Sequence, residues 1–82
     1  MKYVIYLNPR LGGKEYFTGQ IRSVNGVDVA IMSKKKTPKL YRSYGWGIRE
    51  AKLLNIKCKH QGPFGVETYA SYLHRIFRGG KY

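Results

Sequence analysis

The sequence predicts an α+β domain: a three- or four-stranded antiparallel sheet packed against two C-terminal helices. The first half of the chain is built from short β-branched and aromatic runs broken by Asn, Gly and Pro, whereas from Gly47 onward apolar residues recur every three or four positions. A chain of 82 residues that is 43% hydrophobic can bury one core, and its composition excludes intrinsic disorder. Residues 1–78 are expected to form this single domain, with residues 79–82 as a flexible basic tail.

Lys2 to Leu7 alternates in the manner of a first strand, and Asn8 to Gly13 reads as a turn. Gly12-Gly13-Lys14 lacks the spacing and the following Ser or Thr of a phosphate-binding P-loop. Lys14 to Ser23 and Val27 to Ser33 read as a hairpin. A two-residue Asn25-Gly26 turn would pair Arg22 with Val29 and Gln20 with Ile31, mixing polar and apolar residues on one face. A three-residue loop, Val24-Asn25-Gly26, aligns Ile21 with Val29 and Gly19 with Ile31 instead. That register gives a core face of Phe17, Ile21, Val29 and Ile31, opposite a mixed face of Lys14, Tyr16, Arg22, Asp28 and Met32.

Ser33 to Lys39 holds four lysines around Thr37-Pro38 and is expected as a solvated loop, followed by a short fourth strand over Leu40 to Tyr44. Ile48, Ala51, Leu54 or Asn55, and Cys58 then mark a first helix from Gly47, with Lys57 and Lys59 suited to the negative pole at its end. After the break at Gln61-Gly62-Pro63-Phe64-Gly65, residues Val66, Tyr69, Ala70, Leu73, Ile76 and Phe77 line one face of a second helix. Glu67 suits its start, Arg75 and Arg78 its end, and Gly79 its termination.

Sixteen Lys and Arg against four Asp and Glu give a net charge of +12, which attracts polyanions. The cations are spread along the chain, with no adjoining apolar stretch and no run near the roughly 18 apolar residues of a membrane span, so a membrane partner is not expected. Met1 to Leu7 lacks the long apolar centre of a secretory signal, and a lone Cys58 precludes an intramolecular disulfide. A cytoplasmic protein is the expectation.

Within residues 39–52, aromatic and basic residues interleave and the only tryptophan is found. Planar rings beside guanidinium and ammonium groups suit single-stranded nucleic acid, whose bases offer flat faces and whose backbone is charged. Tyr41, Tyr44 or Trp46 are the candidate stacking residues, and Lys34, Lys35, Lys36, Lys39, Arg42, Arg49 and Lys52 the candidate phosphate contacts. Against this stand a Trp46 packed where sheet meets helix, and a lysine run that is only a solvated loop.

Other motifs point less far. Arg78-Gly79-Gly80 is a single unit of the kind repeated in RNA-binding Arg-Gly-Gly segments, but a helix cap followed by a flexible end explains it better. Gly62-Pro63-Phe64-Gly65 resembles the backbone-clamping loop of KH domains, but the proline removes one amide and the strand order departs from either KH arrangement. Cys58, His60 and His74 supply at most three metal ligands without paired cysteines, so no metal is expected. His60 and His74 with Lys59 could serve acid and base roles in a small ribonuclease, yet no carboxylate pair or triad accompanies them.

Met1-Lys2-Tyr3-Val4-Ile5, Tyr16-Phe17-Thr18-Gly19 and the stretch from Lys39-Leu40-Tyr41 to Ala51-Lys52-Leu53-Leu54 together resemble the small strand-strand-strand-helix proteins of phages and prophages, over about two-thirds of the chain. That group includes inhibitors of host machinery, among them anti-CRISPR proteins. The resemblance implies no site residues, and the basic charge departs from inhibitors that mimic DNA with acidic surfaces. The sequence thus leads to a non-catalytic protein that binds nucleic acid or a nucleoprotein, with no cofactor and no small-molecule substrate. The alternative is a phage-encoded inhibitor that blocks a host nuclease or CRISPR effector by protein contact, and a small ribonuclease comes third.

Overall fold

A computed structural model describes residues 1–8 and 13–80, with side chains through residue 77. Six elements follow in order: β1 (Tyr3–Leu7), β2 (Glu15–Val24), β3 (Val27–Ser33), α1 (Tyr44–Lys57), β4 (Phe64–Thr68) and α2 (Tyr69–Gly80). The strands form one antiparallel sheet in the order β3-β2-β1-β4. An α+β fold with a four-stranded antiparallel sheet and a C-terminal last helix agrees with the expected class.

Both faces of the sheet are covered, because alternate residues of one strand feed two separate clusters. Ile5, Leu7, Phe17, Ala30 and Phe64 pack with Ala51, Leu54 and Cys58 of α1 and its C-cap. Val4 and Tyr16 pack instead with Tyr72, flanked by Tyr6, Tyr69 and Leu73. β1 therefore has no solvent face at its centre, and Val4 and Ile5 are both wholly buried.

The hairpin takes the register the face pattern disfavours. Val24 pairs with Val27, Arg22 with Val29 and Ile21 with Ala30, closing on a two-residue turn. Asn25 (φ 51°) and Gly26 (φ 79°) are both left-handed, as a type I′ turn requires. The conflict is resolved by a bulge between Phe17 and Ile21, after which Phe17 pairs with Met32 and Tyr16 with Ser33. Gly19 (φ +97°) supplies the left-handed residue there, and a Cβ on it would stand 3.2 Å from Lys39 Cδ. The core face expected for this hairpin is corrected accordingly: Ile21 is exposed, while Tyr16 and Met32, expected on the open face, pack inside.

The expected fourth strand over Leu40 to Tyr44 reduces to a single bridge. Tyr3 and Tyr41 exchange two backbone hydrogen bonds of 2.9 Å, and the Lys39 amide donates to the Phe17 carbonyl. The fourth strand lies elsewhere, at Phe64–Thr68, on residues read as a turn and the start of a helix. Phe64, Val66 and Thr68 alternate with Gly65 and Glu67, and pairing along β1 from Tyr3↔Thr68 to Leu7↔Phe64 outweighs the helical spacing of Val66 and Tyr69. The Gly62-Pro63-Phe64-Gly65 segment thus leads from α1 into a strand, not from helix to helix.

Glu67 faces α2 and accepts from Lys14 Nζ at 2.8 Å, Tyr16 Oη at 2.8 Å and Arg75 at 3.2 Å. On the edge strand β3, the Gln61 amide accepts from the Ala30 N–H at 2.7 Å and donates to the Ala30 carbonyl at 3.0 Å. This closes the middle of an edge otherwise open to pairing with another chain. α2 continues through Gly79 and Gly80, so the expected stop at Gly79 is displaced, and the remainder of the proposed tail lies outside the described residues. Among the described residues, no helix is long and apolar enough to cross a membrane.

Candidate nucleic-acid interface

The connection from β3 to α1 carries most of the candidate residues. Its first turn is organised by Ser33, whose Oγ accepts from the amides of Lys35 and Lys36, leaving Lys34, Lys35 and Lys36 exposed. Ser43 ends the connection as the N-cap of α1, its Oγ accepting from the Trp46 amide at 3.1 Å. The helix therefore starts at Tyr44, one turn ahead of the expected Gly47. Gly47 is buried against Val66, and a Cβ there would stand 3.1 Å from Val66 Cγ1.

The structure separates the aromatic residues. Tyr41 is wholly buried, held by its backbone bridge to Tyr3 and packed edge-to-face under the Trp46 ring with centroids 5.0 Å apart. It belongs to the core and cannot stack on a base, which corrects its place among the candidates. Its hydroxyl has no hydrogen-bond partner among the described residues. Burial, and then the charge of Glu50, push ionisation of this phenol far above its usual range. Trp46 is 40% exposed and Tyr44 56% exposed. Two residues apart on a helix, they point to different sides. Tyr44 leans edge-on to Tyr3, whereas Trp46 sits over Tyr41.

Lys39 is the best-positioned cation of the set. Its Nζ lies 5.3 Å from the Tyr41 ring centroid, 5.8 Å from that of Trp46 and 3.9 Å from Glu50 Oε1. It is half-buried and already paired, so it borders the Trp46 ring more than it reaches into solvent. Arg42, Arg49 and Lys52 are exposed. Among the described residues the ion pairs engage Lys14, Lys39 and Arg75, leaving Lys34, Lys35, Lys36, Arg42, Arg49 and Lys52 with no carboxylate partner.

The residues considered for other chemistry do not converge. Cys58 is buried, and burial pushes its thiol up, away from the reactive thiolate. His60 is exposed in the turn after α1. His74 lines a recess of about 510 Å³ with Ala70, Ser71 and Arg75 on α2, a different element from the one carrying Trp46. No group of three or more metal-binding side chains occurs among the described residues. Sequence reasoning missed Glu67 as an organising side chain, placing it at a helix start. Its signal was the alternation that marks β4 as a strand.

No protein-family model matches the chain, and no curated protein or solved structure matches it either.

Proposed function

We propose that the protein is a non-catalytic binder of nucleic acid, single-stranded by preference, acting through the β3–α1 connection and the first turns of α1. The observation that carries this reading is a charge asymmetry. Nine Lys and Arg against one Glu fall between residues 34 and 59, which accounts for eight of the twelve net positive charges. The same segment carries the half-exposed Trp46 ring, bordered by the Lys39 ammonium. Lys34, Lys35, Lys36 and Arg42 hold phosphates in this reading, Trp46 offers one stacking surface and Tyr44 a second on a different side of the helix. A second reading, inhibition of a host nuclease or nucleoprotein by protein contact, draws support from the apolar residues that α1 exposes among its cations.

Fluorescence titration with single-stranded oligonucleotides across a salt series tests the first reading. The affinity is expected to fall with salt at a log-log slope of about −0.7 per phosphate contacted. Replacing Lys34, Lys35 and Lys36 together by Ala flattens that slope, while Tyr44→Ala costs on the order of 1 to 3 kcal/mol with the slope unchanged. No binding at low salt, or variants that bind as the parent does, would refute it.

A further inference from the structure

α1 presents a stripe whose aliphatic half, Leu53 and Ile56, the nucleic-acid reading does not use. Trp46, Arg49, Leu53 and Ile56 follow one another in steps of three, four and three residues, the spacing that aligns side chains along one helix face. The buried face of the helix is a different one, set by Gly47, Ala51 and Leu54. Leu53 is 42% exposed and Ile56 72% exposed, an unusual placement for branched aliphatic residues on a helix already packed on its sheet. Lys52 and Lys57 flank the stripe on either side, and Glu50, the only carboxylate of α1, is engaged by Lys39. From Trp46 to Ile56 the stripe runs about 15 Å.

From this geometry we infer that the outer face of α1 is a docking surface for an acidic amphipathic helix of a partner protein. Each element of the stripe narrows the choice. Leu53 and Ile56 offer nothing to a phosphate and no flat face to a base, so nucleic acid leaves them unsatisfied. A second copy of the chain would bring Arg49, Lys52 and Lys57 against their own equivalents, which like-charge repulsion opposes. A helix with aliphatic residues along one face and Glu or Asp on both flanks meets both demands. Its apolar seam packs on Leu53 and Ile56, and its carboxylates reach Arg49, Lys52 and Lys57. Trp and Arg are the side chains most often found as anchors of such interfaces. This inference shares Trp46, Arg49 and Lys52 with the nucleic-acid reading but turns on Leu53 and Ile56, which that reading leaves idle.

The test uses the full chain and a synthetic peptide of about 18 residues, long enough to hold a helix, with a Leu stripe and Glu flanks. A scrambled peptide of the same composition and phosphatidylglycerol vesicles are the comparison ligands. Trp46 reports binding, because it lies at one end of the stripe. Saturable binding of the amphipathic peptide with a blue shift of Trp46 emission is expected, with the scrambled peptide about tenfold weaker. The double variant Leu53→Ser, Ile56→Ser, at two exposed positions, should weaken the peptide about tenfold and leave oligonucleotide affinity and the circular dichroism spectrum as they were. Equal affinity for the scrambled peptide, an unaffected double variant, or tight binding to vesicles with none to the peptide would each overturn the inference. Loss of oligonucleotide binding in the parent chain would strike the nucleic-acid reading alone.

Discussion

Tyr41→Phe is expected to stabilise the protein, contrary to the usual result of changing a wholly buried residue. The ring sits edge-to-face under Trp46 and beside the sheet, and phenylalanine retains those contacts. What disappears is a buried hydroxyl with no hydrogen-bond partner among the described residues. An unsatisfied buried hydroxyl costs about 1 to 2 kcal/mol, so the variant gains that amount at pH 7, or roughly 5 to 10 °C in Tm for a domain of this size.

The same substitution has a signature in alkali. The Tyr41 phenol resists ionisation in the folded chain through burial and the Glu50 charge, whereas in the unfolded chain it ionises near pH 10. A raised folded pKa means that its contribution is fully present below about pH 10 and is lost as pH climbs further, since only the unfolded state releases the proton. Between pH 10 and 11 one such group removes about 1 kcal/mol. Tyr16, raised by burial and by its bond to Glu67, acts in the same direction, as do Tyr72 and Cys58 through burial. Parent and variant should therefore diverge: urea denaturation followed by circular dichroism gives Tyr41→Phe the higher midpoint at pH 7 and a decline between pH 10 and 11 shallower by about 1 kcal/mol. A lower midpoint at pH 7, or an identical alkaline decline, would refute the burial argument for this hydroxyl.

Two further substitutions probe the supports on either side of the sheet. Glu67→Gln removes the charge that Lys14, Tyr16 and Arg75 share, and should cost about 2 to 3 kcal/mol, seen as a fall in Tm of roughly 10 °C or more by calorimetry; an unchanged Tm would mean that the cations simply return to solvent. Gln61→Ala strips the Ala30 N–H and C=O of their partner, so a loss of about 1 to 3 kcal/mol is expected together with concentration-dependent light scattering as the β3 edge opens, and a stable, monodisperse variant would show that Gln61 does not guard that edge.

The class of fold was legible because it rests on period, and period survives local errors. The hairpin register was not, although the Asn25-Gly26 signal for a two-residue turn was plain. Face alternation argued against that turn only on the assumption of an unbroken ladder, and Gly19 is the residue that breaks it. β4 was hidden because Val66 and Tyr69 stand three apart, which mimics a helix, yet Pro63 just before it and the run Phe64, Val66, Thr68 carried the strand period. At the candidate site, exposure of Arg42, Arg49 and Lys52 followed from residue type. Which of Tyr41 and Trp46 would be buried did not, since a long-range bridge between Tyr41 and Tyr3 decides it and neighbouring residues hold no trace of that partner.

The two faces of the sheet treat charge differently, and this gives the molecule its polarity. Under α2, Glu67 is nearly buried and draws two cations, Lys14 and Arg75, so positive charge there is spent on holding β1, β2 and β4 to the helix. On the α1 side, Glu50 engages only Lys39, and the remaining cations of the connection and helix face solvent. No charged side chain is buried outright among the described residues, so the surplus does nothing for the core and opposes folding through self-repulsion. A surplus concentrated on one helix and its leading loop is more than solubility requires. A polyanion bound there would relieve the repulsion, so under the proposed function the charges that oppose folding of the isolated domain would be the ones stabilised by binding.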